Sequence, residues 1–184
     1  MFYFLRQNLF EFANVIEVVG HTEETGKHLW TKGVRFADPV PEQTLALNPE
    51  YGTVMADFFD TTIPLMSDRL LTALKGAGVD NVDAYPMILQ RPDTGEQWRN
   101  YKAVNFVGCI DAIDMKKSNC RRSATGRLRC ESITIDPHAV GDAICFRLKE
   151  GPDLLVIHEE VADRLRKQDF VAVLIQKTED YDGD

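Results

Sequence analysis

The 184-residue chain is long enough to enclose a hydrophobic core, and its 44 % apolar and 27 % charged residues are those of a folded globular protein, not of a disordered one. Its net charge of −8 is unevenly spread: Lys116, Lys117, Arg121, Arg122, Arg127 and Arg129 crowd into one acid-free stretch, which leaves 15 cations against 29 acids elsewhere. Most of such a surface repels a polyanion and attracts a basic partner, so direct binding of nucleic acid is not expected.

In chain order, Phe2 to Leu5 alternates as a first strand. The residues Met1 to Arg6 lack the basic start and long apolar run of a secretion signal, and no run approaches the roughly 18 apolar residues that span a bilayer. The expected location is cytoplasmic, without a membrane partner. Val15 to Val19 and His28 to Phe36 read as strands separated by a polar turn from His21 to Lys27. Pro39, Pro41 and Pro49 predict an irregular connection from Asp38 to Tyr51, and Val54 to Phe59 a short strand or a buried turn.

Ser67 opens the clearest helix. Its hydroxyl can accept from a free first-turn amide, Met66 and Leu71 are spaced as a hydrophobic staple, and Leu70, Leu71 and Leu74 share one face. Lys75 suits the C-terminal dipole, and Gly76 or Gly78 can end the helix. Asp83 to Gln90 and Gln97 to Met115 read as strands joined by the turn Pro92-Asp93-Thr94-Gly95, the second one bent near Gly108. The basic segment from Lys116 to Arg129 reads as an exposed loop. Further strands are expected at Arg129 to Ile135, Ala143 to Lys149, Leu154 to Ile157 and Phe170 to Ile175, with a helix from Glu159 whose acids and bases match the dipole at both ends. Residues 178–184 form an acidic tail expected to fray. Many strands and two clear helices predict an α+β fold, a mostly antiparallel or mixed β-sheet with a few short helices. One domain spans 1–184, with a β-rich elaboration over 1–62 and a core over 63–177.

Chemistry is harder to find. Cys109, Cys120, Cys130 and Cys145 contain no C-x-x-C pair, and no histidine completes a zinc knuckle, so neither a metal nor a cofactor is expected. Cys109 and Cys145 lie in apolar runs and are expected to be buried, and in a reducing compartment disulfides are not expected. Asp111 and Asp114, followed by Ser118, form the most site-like cluster, but in a strand they face opposite sides and could act together only across a turn. The competing reading is that they end a strand and organise that turn through backbone hydrogen bonds. His21, His28, His138 and His158 fall in no motif of known mechanism. Gly76-Ala77-Gly78 follows a helix, so it reads as a helix stop, not as a phosphate loop. The basic segment carries no aromatic residue on which a base could stack.

Several landmarks nevertheless stand in a distinctive order: the Ser67 to Leu74 helix, the Pro86-containing strand, Tyr101 to Asn105, Asp111 with Ser118, the Phe146-Arg147-Leu148 strand, and the step from Val156 to Leu165. This series resembles a family of bacterial immunity proteins found beside toxin genes of polymorphic-toxin and type VI secretion systems. His158 departs from its pattern, which favours a small hydroxyl residue as helix cap. The resemblance implies a protein that binds and neutralises a cognate toxin in the producing cell, and a chain that is not an enzyme. For an acidic chain, a nuclease with a basic cleft is the fitting toxin, and Glu23, Glu24, Asp57, Asp60, Asp111 and Asp114 are the candidate contacts. The alternative is a small hydrolase whose site assembles in space from Asp111, Asp114 and a histidine.

Overall fold

The computed structural model describes residues 1–124 and 128–183. The elements run β1 (Phe2–Gln7), β2 (Val18–Val19), α1 (Glu23–Gly26), β3 (Gln43–Leu47), β4 (Phe58–Phe59), β5 (Leu65–Ser67), α2 (Asp68–Gly76), β6 (Val82–Gln90), β7 (Gln97–Phe106), β8 (Cys109–Ile110), β9 (Asn119–Arg122) and β10 (Leu128–Ser132). They continue with α3 (Pro137–Val140), β11 (Cys145–Leu148), β12 (Leu155–His158), α4 (Glu159–Leu165) and β13 (Val173–Lys177), closed by a 3-10 turn at Thr178–Asp180. The fold is α+β, with two mixed sheets, ordered β13-β1-β12-β11-β8 and β2-β3-β6-β7-β5-β4, and a separate β9–β10 hairpin.

Strand alternation builds three apolar layers from these two sheets. Tyr3, Leu5, Cys145, Leu155 and Ile157 of the first sheet meet Met66, Val104 and Phe106 of the second in a central core, which also takes Leu70, Leu71 and Leu74 from α2 and Val161, Ala162 and Leu165 from α4. Phe4, Phe146, Leu148 and Val156, offset by one residue, face outward and are covered by Cys130, Ile133, Ile135 and Val140. On the far side of the second sheet, Leu45, Leu47, Met87, Leu89, Tyr101 and Ala103 pack against Val15, Ile16, Trp30 and Val40 of the N-terminal loops.

The local expectations around α2 hold. Ser67 Oγ accepts from Leu70 N–H at 3.2 Å, Met66 and Leu71 join one core, and Gly78, at φ +97°, takes the left-handed position beyond the helix end. The Pro92–Gly95 turn joins β6 to β7, and Gly108, at φ +124°, separates β7 from β8. His158 does cap α4, its Nδ1 accepting from Glu160 N–H at 3.4 Å.

Other expectations are corrected. His28 to Phe36 is not a strand: the rings of His28, Trp30 and Phe36 gather on one another and on Tyr85, and Gly33 at φ +68° turns the backbone. The turn before it is the one-turn helix α1, with Thr22 and Thr25 in a reciprocal capping box. The supposed irregular connection contains β3, which fits between Pro41 and Pro49 and runs parallel to β6 from Gln43↔Met87 to Ala46↔Gln90, burying Leu45 and Leu47. The described part of the basic segment is a hairpin crosslinked by a Cys120–Cys130 disulfide, not a loop of free cysteines; Arg127 lies outside the described residues. Cys109 is exposed, because β8 is only two residues long at the sheet margin. The tail is anchored where Thr178 is buried, its carbonyl accepts from Ile133 N–H at 2.9 Å, and Tyr181 meets the Phe4 ring edge-on at 5.3 Å.

One carboxylate ties these parts together. Asp57, just before β4 and 7 % exposed, accepts from Ser67 Oγ and from the Arg69 guanidinium, and its Oδ2 accepts from Val171 N–H at 2.8 Å. Its own N–H donates to Val171 O and its carbonyl accepts from Ser67 N–H, both at 2.9 Å. The residue thus joins the second sheet, the start of α2 and the approach to β13. Burial opposes its ionisation, but the bonds from Arg69, Ser67 and Val171 outweigh burial and hold the carboxyl below its ordinary value. Stability from a lowered carboxyl is present above the unfolded pKa and lost as pH falls through the folded one. Asp57→Ala is expected to cost about 2–4 kcal/mol in urea unfolding at neutral pH. The cost of Asp57→Asn should shrink in acid, below about pH 4, where the unfolded carboxyl protonates; an equal cost at pH 3 and pH 7 would reject the ionic account.

Candidate functional site

The six acids singled out from sequence occupy three kinds of environment. Glu23 and Glu24 begin α1, where negative charge suits the helix start. Glu23 is exposed; Glu24 is half-buried and reaches Lys27 Nζ at 2.8 Å and His28 Nε2 at 3.9 Å. The bond from Lys27 holds the Glu24 carboxyl below its usual range. The helix is held in place from behind: Trp30, buried among aromatic rings, donates its indole N–H to Thr25 O at 2.9 Å. The chain after it docks on the end of β7, with Gly108 N–H donating to Gly33 O at 2.9 Å and Asn105 Nδ2 to Val34 O at 2.8 Å. A side chain at Gly33 would meet Gly108 O at 2.8 Å. Glycine is therefore required where the α1 segment touches the start of β8.

Asp111 and Asp114 follow β8. Asp111 is exposed, 3.8 Å from Lys149 Nζ, and pairs with Glu150. That contact holds the Asp111 carboxyl low, while burial pushes the Glu150 carboxyl up. Asp114 organises a turn: Oδ1 accepts from the N–H groups of Lys116 at 3.0 Å and Lys117 at 3.3 Å, and Oδ2 lies 3.1 Å from Lys117 Nζ. Ser118 completes it, its hydroxyl accepting from Thr134 N–H at 2.9 Å. Neither aspartate has a histidine among its described partners. His28 lies in the aromatic cluster, His158 caps α4 and His138 sits exposed in α3.

Asp57 and Asp60 flank β4 and belong to the interior. Asp57 is held by Ser67, Arg69 and Val171. Asp60 is half-buried; its N–H donates to Gln7 Oε1 at 3.1 Å, and it feels the positive charges of Arg147 and Arg6. Arg147, unremarked in the sequence apart from its place in the β11 landmark, is wholly buried. Its Nη1 donates to Pro152 O at 2.9 Å and Asp153 O at 3.2 Å, its guanidinium lies 6.0 Å from the Phe106 ring centre, and Nε and Nη2 find no hydrogen-bond partner among the described residues. A charged residue in a run of otherwise apolar strand positions was the one signal that could have drawn attention to it.

A cleft of about 450 Å³ opens between the hairpin, the 150–154 loop and the tail. Arg121, Arg129, Glu131, Glu150, Asp153 and Asp182 mix both charges along it, and its lining includes neither Asp111, Asp114 nor a histidine. Among the described residues no three His, Cys, Asp or Glu side chains come together to hold a metal ion, and no helix is long and apolar enough to cross a membrane. Glu23, Glu24, Asp111 and Asp114 therefore offer charge at a surface, and among the described residues Asp111 meets Glu150 and not Asp114 or a histidine.

Asp60 supplies a pH signature. Burial pushes its carboxyl up to about 6, whereas an unfolded aspartate releases its proton near about 3.9. Between those values the native state binds more protons, so this group makes stability fall as pH rises from about 4 to about 6. Asp60→Asn removes the effect, and its stability relative to the parent chain is expected to improve across that window in urea titrations. A difference that stays flat would show that Asp60 titrates as an ordinary surface group.

No curated protein matches the chain. Residues 10–180, however, match the immunity protein family Imm11, a span that takes in every described element from β2 to the closing 3-10 turn and leaves out only β1. The match extends the resemblance seen from Ser67 onward back through the N-terminal loops, and the chain belongs to the Imm11 immunity protein family.

Proposed function

We propose that this chain binds a cognate toxin in the cytoplasm of the cell that makes both, and neutralises it by direct, non-enzymatic contact. The observation that carries the reading is the immunity-family match over residues 10–180. The charge distribution supports the mode of contact. With 15 cations against 29 acids outside the basic stretch, the chain presents a surface that speeds encounter with a basic partner and suits occupation of a basic cleft. On this reading the toxin is a nuclease of a polymorphic or type VI system, encoded by the adjacent gene, and the acids stand where substrate phosphates would.

Of the six acids, Glu23, Glu24, Asp111 and Asp114 supply this surface. Asp57 and Asp60 contribute through the fold that holds the surface in place. The α1 segment and the start of β8 meet at Gly33 and Gly108, which supports a single interface that takes in both acidic segments.

Co-expression tests the reading directly. Growth arrest by the adjacent gene product should be relieved by this chain, and a tagged copy should retain that product through purification; neither rescue nor capture would reject immunity. The electrostatic mode is tested by Glu23→Lys, Glu24→Lys and Asp111→Lys together with Asp114→Asn, which leaves the oxygen that organises the turn. Affinity for the toxin is expected to fall at least about tenfold, mostly through a slower association rate with a weaker salt dependence. Unchanged association would remove these acids from the interface.

A further inference from the structure

The two large sheets have four edges, and three of them are blunted to two-residue strands: β8 (Cys109–Ile110), β2 (Val18–Val19) and β4 (Phe58–Phe59). The fourth, β13 (Val173–Lys177), is five residues long, apolar over Val173-Leu174-Ile175, and carries its only charge at its last residue. The hairpin strands, the other edges of this molecule, display Arg121, Arg122, Arg129 and Glu131. Folded proteins shorten or charge a free edge because a bare one pairs with other chains. Here one edge has been left long, with its charge confined to Lys177 at one end, beside three that have been shortened.

The ladder shows what that edge presents. Asn8 N–H donates to Ala172 O at 2.9 Å, and Glu159 N–H donates to Met1 O at 2.9 Å. In antiparallel pairs hydrogen-bonded and non-hydrogen-bonded positions alternate, so Phe4 and Arg6 bond to Gln176 and Leu174 on β13, while Tyr3 and Leu5 bond to β12. Val173, Ile175 and Lys177 therefore turn their N–H groups away from β1, and Val173 and Ile175 their carbonyls also. These groups have no partner among the described residues. Val173 and Ile175 still pack their side chains on the central core, which anchors the edge strand.

We infer that β13 is a docking edge on which an extended, positively charged segment of the toxin adds as a further strand, an inference that rests on the immunity reading. Backbone pairing of this kind gives affinity with little demand on sequence, and the flanking charge selects the partner. Exposed acids stand on both sides of the strand, Asp169 before it and Glu179 and Asp180 after it. A second copy pairing antiparallel about Ile175 would bring Glu179 and Asp180 of one chain towards Asp169 of the other, between molecules that each carry −8. A basic strand meets the same acids favourably.

The test uses the full chain and the adjacent gene product with its toxic activity silenced by substitution. Residue-resolved amide exchange should show the Val173, Ile175 and Lys177 N–H groups exchanging at least about a hundredfold more slowly in the complex, with Leu174 and Gln176 protected in both states. Lys177→Pro removes one outward donor at a residue whose φ of −59° already suits proline, and it should weaken binding at least tenfold relative to Lys177→Ala with no change in melting temperature. A complex whose outward amides exchange freely, or equal binding by the two variants, would overturn the edge assignment while leaving immunity intact. Absence of any complex would reject the immunity reading and this inference with it. Protection that grows with concentration of the chain alone would assign the edge to a second copy and overturn the toxin as its occupant.

Discussion

The Asp57 carboxylate is the constraint on which the rest of the structure depends. It stands where three separately built pieces meet: the end of the second sheet, the first turn of α2 and the approach to β13. Ser67 serves both as the cap of α2 and as a donor to Asp57, so the helix cannot start correctly unless the loop before β4 is in place. Arg69, two residues on, pairs with the same carboxylate, donates to Asp169 O at 2.9 Å and lies 4.9 Å from the Phe170 ring centre. A buried carboxylate is tolerable only when its oxygens are saturated by donors, and here they come from two distant parts of the chain, Ser67 and Arg69 at the start of α2 and Val171 before β13.

Beyond that clamp the chain turns sharply. Val171 donates to Asp57 and the next residue, Ala172, is wholly buried at φ +55°, a left-handed conformation that costs a non-glycine residue roughly 1 kcal/mol. The turn delivers β13 to the side of β1 in register, with Gln7 opposite Val173. β1 then lies between β12 and β13, so residues from both ends of the chain complete one sheet. Pairings of such sequence separation form late and together: β13 has no strand partner in the sheet other than β1, while β1 also pairs with β12.

The surface has a corresponding logic. Inside, Asp57 is matched by Arg69, while Arg147 is held through one nitrogen by two carbonyl groups, with the Phe106 ring and the charge of Asp60 nearby. The remaining acids are held at the surface by short-range contacts, α1 by its capping box and the β8 turn by Asp114 itself. The basic hairpin lies elsewhere, over the outer apolar layer, where the disulfide holds its strands together.

The sequence by itself determined the features whose causes lie within a few residues: the capped helix at Ser67, the helix from Glu159, the Pro92–Gly95 turn, the bend at Gly108, and the alternation that marks most strands. Their order was also sufficient to suggest the immunity family. The tertiary structure alone decided how distant segments pair. β3 became a strand because β6 offered it a parallel partner, His28 to Phe36 failed to become one because its aromatic rings found Tyr85, and Cys120 met Cys130 only once β9 and β10 were in register. The same division governs the acids. Asp57 and Asp111 look alike along the chain, yet one is buried and held by Ser67, Arg69 and Val171 and the other is exposed, because solvation is a property of what the fold brings nearby and not of the residue or its neighbours in sequence.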